Sequence, residues 1–273
     1  MSNNSSEPLI VLTNDDGVAS PGILAAARAL APLGWIVVSA PREQQSGSGR
    51  SMPYSYGGII QSLQRAIGDD HWEFYSVDGT PAQCVQHAML ELTDRRPDLV
   101  VSGINYGENV GGGTTISGTV GAALEAASFD VPALAVSLET DHEHHLTHSE
   151  EVDFTAAGHF TYLFAQRMLT MPMPDDVDVL KIDVPSTAAK DTPWRVTRQS
   201  KQNYYNPLKP VRNSFDERGP VGYYRDVEYI YREPGSDVTA LFHDRVVSVT
   251  PLSLDLTSRI SLPDFEAQLR ASD

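Results

Sequence analysis

Short apolar runs alternate with stretches of helical periodicity through the first two thirds of the chain. Leu9 to Thr13 is a short run that reads as a buried strand, and Asn14 to Gly17 break it. Ser20-Pro21 then has the form of a helix cap and first helical position, and Ile23, Ala26, Ala27 and Leu30 recur at helical spacing. Gly34 ends that helix, and Trp35 to Ala40 reads as a second strand. This β-α-β opening predicts a parallel sheet with helices on its faces.

The pattern recurs. Thr80-Pro81 opens a helix with Cys84, Val85, Ala88, Met89 and Leu92 on its apolar positions, and Leu99 to Ser102 is a strand. Gly118 to Ala127 predicts a small-residue helix that packs close to the sheet. Pro132 to Leu138 predicts a strand, Phe154 to Leu169 a helix, and Val177 to Val184 the last core strand. After about Ser186 the texture changes. Val221 to Tyr231 is rich in tyrosine and charge, and Val238 to Phe242 and Val246 to Val249 are short β-like runs. The expected organisation is a Rossmann-like α/β core over residues 1–185. A β-rich extension over 186–273 would serve as an oligomerisation arm.

Composition narrows the class. The 273 residues are 41% hydrophobic, enough for a sizeable core. The single cysteine, Cys84, excludes an internal disulfide and fits a reducing compartment. Met1 to Pro8 lacks the pattern of a signal peptide, and no apolar run is long enough to span a bilayer, so a cytoplasmic location is expected. The net charge of −16 disfavours a nucleic acid polymer as partner. Lysine is confined to Lys181, Lys190, Lys201 and Lys209, and an acid-rich, lysine-poor chain suits a high-salt cytoplasm.

Ligands of parallel α/β sheets sit outside the carboxyl ends of the strands, so functional residues are expected at the predicted strand ends. The first gives Thr13-Asn14-Asp15-Asp16-Gly17. Adjacent carboxylates repel unless a cation compensates, and Gly17 permits the turn that brings both to one ion; a solvated Asp-Asp-Gly turn is the competing reading. The second gives a loop with Arg42, Ser46, Gly47, Ser48, Gly49 and Arg50, suited to an oxyanion or to plain surface exposure. The strand ending at Ser102 leads to Asn105, and Ser117-Gly118-Thr119 opens a helix whose free N–H groups and dipole suit a phosphate. Carboxylates, a hydroxyl and an amide are hard oxygen donors that favour Mg²⁺ or Mn²⁺ over Zn²⁺. A metal beside an anion cradle points to phosphate chemistry with a metal-activated water.

These segments resemble the SurE family, metal-dependent nucleotidases known as stationary-phase survival proteins. The resemblance runs in order through Leu12 to Gly17, Ala40-Pro41 to Ser46-Gly47, Gly79 to Ala82, Val101 to Asn105, Ser117 to Gly121 and Val247 to Leu252. It implies a Rossmann-like three-layer core with a C-terminal β-hairpin arm that builds homodimers or homotetramers. It also implies one divalent ion per subunit, held by Asp15, Asp16, Ser46 and Asn105, with phosphate contacts from Ser117, Gly118 and Thr119 and with Asn14 close by. Asp15 or Asp16 is the candidate to orient the attacking water, and the substrate class is a nucleoside monophosphate. The chain departs from the family at Arg42, Arg50, Gln83 and Asp183, and Arg50 becomes a candidate phosphate contact where a histidine is common. A nucleotide-binding regulatory protein without turnover is the alternative. A covalent-aspartate phosphatase fits less well, because it needs Asp-x-Asp.

Three other features of the chain carry candidate chemistry. Asp141 to His148 looks like a metal tract but lacks the flanking pattern of a zinc site and reads as a solvated loop. Cys84 lies on an apolar helix face and reads as core. Tyr204, Tyr205, Tyr223 and Tyr224 suit either base stacking or arm packing.

Overall fold

The computed structural model describes residues 7–67, 70–141, 144, 149–203, 205–225 and 230–271. In chain order the elements of the first half are β1 (Leu9–Thr13), α1 (Pro21–Leu30), β2 (Trp35–Pro41), β3 (Ile60–Ile67), β4 (Asp70–Val77), α2 (Pro81–His87), β5 (Leu99–Tyr106) and α3 (Gly118–Ala127). The second half adds β6 (Ala133–Leu138), α4 (Thr155–Thr170), β7 (Val179–Val184), β8 (Trp194–Val196), β9 (Tyr205–Leu208), β10 (Gly222–Arg225), β11 (Val247–Leu252) and α5 (Leu262–Arg270).

Nine strands form one sheet in the order β3-β4-β2-β1-β5-β6-β7-β11-β8. The run from β4 to β7 is parallel throughout, while β3 and β11 pair antiparallel with β4 and β7. Strands buried on both faces alternate between two cores. Ile10 and Leu12 of β1 pack with Ile23, Phe160 and Phe164 of α1 and α4, and Leu9 and Val11 pack with Val85 and Val120 of α2 and α3. The result is a three-layer α/β fold of the expected class.

The chain leaves β1 for β2 on one side, whereas β5 lies on the other. The carboxyl ends of β1 and β5 therefore flank the crevice where the strand order reverses, the usual ligand position in open α/β sheets.

Three helix starts follow their sequence signals. Ser20 caps α1 by accepting from Gly22 N, and Ser117 caps α3 by accepting from Val120 N. Thr80 and Gln83 form a reciprocal capping box on α2. Gln83, one of the family departures, also donates from Nε2 to Pro53 O at 2.9 Å, so it ties down the loop after β2.

Two expectations are corrected. Val177 to Val184 does not hold the last strand of the sheet, because β11 and β8 join beyond β7. Val238 to Phe242 is not β-like: Thr239–His243 forms a turn of π-helix. Its start is fixed by Ser236 Oγ accepting from Thr239 N and Asp237 Oδ1 accepting from Val238 N, and Val238, Ala240 and Leu241 are buried. Pairing of β9 with β10 makes a separate antiparallel hairpin. Of the Asp141 to His148 tract, six residues (142–143 and 145–148) lie outside the described residues, as does Tyr204.

Candidate functional site

The turn after β1 is built by Asn14. Its side chain donates to Gly17 O at 3.0 Å and accepts from Gly17 N at 3.1 Å, closing a local ring. Gly17 sits at φ +99°, in the left-handed region that glycine tolerates. The turn sends the two aspartates to different partners. Asp15 Oδ1 accepts from Thr119 Oγ1 at 2.5 Å, and the Gly118 and Thr119 backbones add hydrogen bonds to the same carboxylate. Asp16 Oδ2 accepts from Tyr106 N at 3.1 Å, and Oδ1 from Gln44 Nε2 at 3.3 Å.

Both carboxylates are buried, Asp15 at 4% and Asp16 at 1% exposure. Burial raises the pKa of Asp15 despite the hydrogen bonds from Thr119 and the helix start. It raises that of Asp16 further, with the charge of Asp15 adding to the effect. A cation held between two adjacent buried carboxyls would offset both effects and favour the ionised pair.

The other proposed ligands approach from neighbouring segments. Asn105, at the end of β5, directs Nδ2 to the carbonyls of Tyr106 (3.3 Å) and Gly107 (2.6 Å), so Oδ1 is the atom that could serve a metal. Ser46 is exposed on the loop after β2, and its Oγ accepts from Gln44 Nε2 at 3.0 Å, so Gln44 links it to Asp16. That loop is moored to the site by Gln45 N donating to Asp15 O and Gly49 N donating to Ile116 O. The donor set of two carboxylates, an amide oxygen and a hydroxyl fits a hard divalent ion such as Mg²⁺ or Mn²⁺.

Ser117, Gly118 and Thr119 do stand at the start of α3, beside Asp15. The Ser117 hydroxyl caps the helix, and the Thr119 hydroxyl is the donor to Asp15. Asn14 is present, but both ends of its amide are engaged by Gly17. Arg50 is not brought to the cradle. Its Nε donates to Glu125 Oε2 at 2.6 Å, and Gln86 donates to the other oxygen of the same carboxylate. Glu125 lies two turns along α3, about 10 Å from the helix start. Arg42 pairs with Asp78 at 2.8 Å, away from the aspartate pair.

Sequence reasoning missed Gln44 and a buried ion cluster behind the site. Lys181 Nζ donates to Asp183 Oδ2 at 2.5 Å and to Asp237 Oδ2 at 3.2 Å, with all three residues fully buried. Burial opposes the charge on Lys181, but the two carboxylates outweigh it and hold the ammonium protonated. Asp183 accepts from Asn109 N at 2.7 Å, and Asp237 from Gly111 N at 3.1 Å. The cluster therefore anchors the segment between Asn105 and Ser117. A signal existed: Lys181 and Asp183 stand two apart in a buried strand, hence on one face.

Comparisons with known proteins agree with this picture. A family model described as "Survival protein SurE" matches residues 10–206. The 5'-nucleotidase SurE of Thermococcus gammatolerans is 40% identical over 265 residues, covering 94% of this chain and 93% of that protein. The protein of the same name from Rubrobacter xylanophilus is 40% identical over 263 residues, covering 94% and 96%. Among solved structures, the SurE protein of Aquifex aeolicus superposes with a TM-score of 0.74 at 32% identity, covering 96% of this chain and all of that one.

Proposed function

Because the chain belongs to the SurE family, we propose that it is a 5'-nucleotidase, a phosphomonoesterase that releases phosphate from nucleoside monophosphates. The buried Asp15-Asp16 pair at the β1/β5 crevice carries this reading. Asp15, Asp16, Ser46 and Asn105 would hold one Mg²⁺ or Mn²⁺ per subunit. Such an ion supplies Lewis-acid polarisation of the phosphoryl oxygen and a water acidic enough to attack phosphorus.

The chain's own groups do the rest. Thr119 and the α3 start fix Asp15, while Tyr106 N and Gln44 fix Asp16, so the pair is preorganised before substrate arrives. One aspartate of the pair orients the attacking water. The N–H groups and positive dipole end of α3 favour the phosphate oxygens at the same place. Adjacent aspartates bound to a metal leave no separate nucleophile, which favours direct attack by water over a phosphoaspartate.

Oligomerisation through the C-terminal extension belongs to the same proposal. Val211 and Phe215, between β9 and β10, are 96% and 94% exposed, as expected of an arm that closes on a second copy. No helix among the described residues is long and apolar enough to cross a membrane. A cytoplasmic homodimer or homotetramer completes the proposal.

The test is phosphate release from AMP and GMP with Mn²⁺ or Mg²⁺. Release should stop with EDTA and return when the metal is restored. Binding of AMP without release under any metal would instead make the chain a nucleotide-binding regulator.

Gly118→Ala gives a sharper check. A Cβ there would lie 2.7 Å from Asp15 Cβ, 2.7 Å from Ser48 Oγ and 2.8 Å from Asp15 Oδ2, so the contact between Asp15 and the start of α3 must shift. Displacements of this size cost about 10²-fold in rate. The expected result is a loss of that order in kcat/KM with secondary structure retained in circular dichroism, and wild-type kinetics would count against the placement of Asp15.

A further inference from the structure

We propose that Ser48 is a phosphate-contacting residue, its hydroxyl donating a hydrogen bond to a phosphoryl oxygen seated at the start of α3. This rests on the phosphomonoesterase reading above and adds a residue to it.

Four observations converge. First, Ser48 Oγ is buried and has no hydrogen-bond partner among the described residues. Native structures seldom leave a buried hydroxyl without one, and a bound ligand oxygen is one way to complete it. Second, the hydroxyl stands at the cradle itself. A Cβ added to Gly118 would lie 2.7 Å from Ser48 Oγ and 2.8 Å from Asp15 Oδ2, so hydroxyl and carboxylate both close on the face of the helix start where Gly118 carries no side chain. Third, the backbone around Ser48 is pinned. Ser48 N donates to Gln45 O at 3.1 Å and Gly49 N to Ile116 O at 3.0 Å. Gly121 lets this loop lie directly on α3, since a Cβ there would come within 2.3 Å of Gly49 O. Fourth, Ser48 differs in position from other orphaned hydroxyls. Thr13 Oγ1 and Ser102 Oγ are also unpartnered, but they belong to completely buried residues on β1 and β5, whereas Ser48 is a partly exposed loop residue whose hydroxyl is turned inward.

The chemistry selects an anion over the metal. A serine hydroxyl carries a proton to donate, the adjacent helix start concentrates N–H donors, and phosphate oxygens are strong acceptors. Substrate phosphate would thus be gripped from two sides, by the α3 start and by the β2–β3 loop.

Ser48→Ala in the full-length chain tests this, with inorganic phosphate as the probe and Mn²⁺ present. Calorimetric titration should show phosphate binding weakened about ten-fold, the scale of one hydrogen bond to a charged group. The KM for AMP should rise in parallel. Mn²⁺ affinity should be unchanged, and the thermal midpoint without phosphate should be equal or higher, because an orphaned buried hydroxyl has been removed. A purely structural role would lower that midpoint and leave phosphate binding alone, which would overturn the assignment. Phosphate affinity equal to the wild type's, or a parallel fall in Mn²⁺ affinity, would overturn it as well. If the wild type itself neither binds phosphate nor hydrolyses AMP, the phosphomonoesterase reading falls and the Ser48 assignment with it. A wild type that does both, beside an unaltered Ser48→Ala, sinks the Ser48 assignment alone.

Discussion

Asp15→Asn is expected to lower phosphate release from AMP by about a thousand-fold at saturating Mn²⁺, the scale of losing charge stabilisation from a preorganised site. The substitution is nearly isosteric. The Asn side-chain oxygen still accepts from Thr119, so the start of α3 keeps its partner. What disappears is one of two adjacent buried charges. Without metal, the variant should unfold at the same temperature as the wild type or higher, since burial and mutual repulsion disfavour the ionised pair. Metal should then stabilise the variant less than the wild type, because stabilisation by a ligand scales with its affinity. Activity assays and melting curves with and without Mn²⁺ separate these effects. Undiminished release by Asp15→Asn would remove the pair from the reaction and return it to a structural turn.

Lys181→Met should be the most damaging substitution for stability. It leaves Asp183 and Asp237 facing each other, fully buried, without the ammonium they share. Removing one partner of a buried ion cluster costs about 3–5 kcal/mol, readable as a shift in the urea midpoint with an unchanged slope. The pH dependence has a definite sign. Burial alone raises the pKa of Asp183, and Lys181 is the main influence holding it down. In the variant its folded pKa stands further above the unfolded value. The stability of Lys181→Met is then greatest below the unfolded carboxylate pKa and falls as pH rises through the folded one. Its deficit against the wild type should shrink in acid. Adding Asp183→Asn should recover part of the loss at neutral pH by removing one uncompensated charge. A Lys181→Met protein as stable as the wild type at neutral pH would mean that the cluster is not an ion cluster at all. Because Asn109 and Gly111 hang from these carboxylates, release of the cluster should also loosen the segment that carries Asn105 to Ser117.

Much of the fold was written in local pattern. The runs Leu9 to Thr13 and Trp35 to Ala40, the Ser20-Pro21 and Thr80-Pro81 caps, and the small-residue helix from Gly118 each announce their element through residues close in sequence, and each element forms there. The strand pair β3 and β4 gave less. Ile60–Ile67 is mostly exposed on one edge of the sheet, so its alternation is weak and predicts no strand. Val238 to Phe242 misled because a short apolar run has no period of its own. There the hydroxyl of Ser236 and the carboxylate of Asp237 decided for a helical turn.

The amino-acid sequence by itself determined where the carboxylate pair stands, at the end of the first strand. Asp15 and Asp16 stand next to each other after a buried run and before a glycine, and Asn105 and Ser117 to Thr119 stand at the ends of later elements along one sheet edge. Those are properties of neighbours and of strand polarity, and they reach no further than the element they lie on. Tertiary structure decided which partner each group faces. It gave Asp15 to Thr119 and Asp16 to Tyr106, drew Arg50 away to Glu125, and brought the distant Asp237 to the buried Lys181. Such pairings are set by packing across 50 to 100 residues of separation, where burial turns a polar side chain without a partner into a cost that the fold must meet.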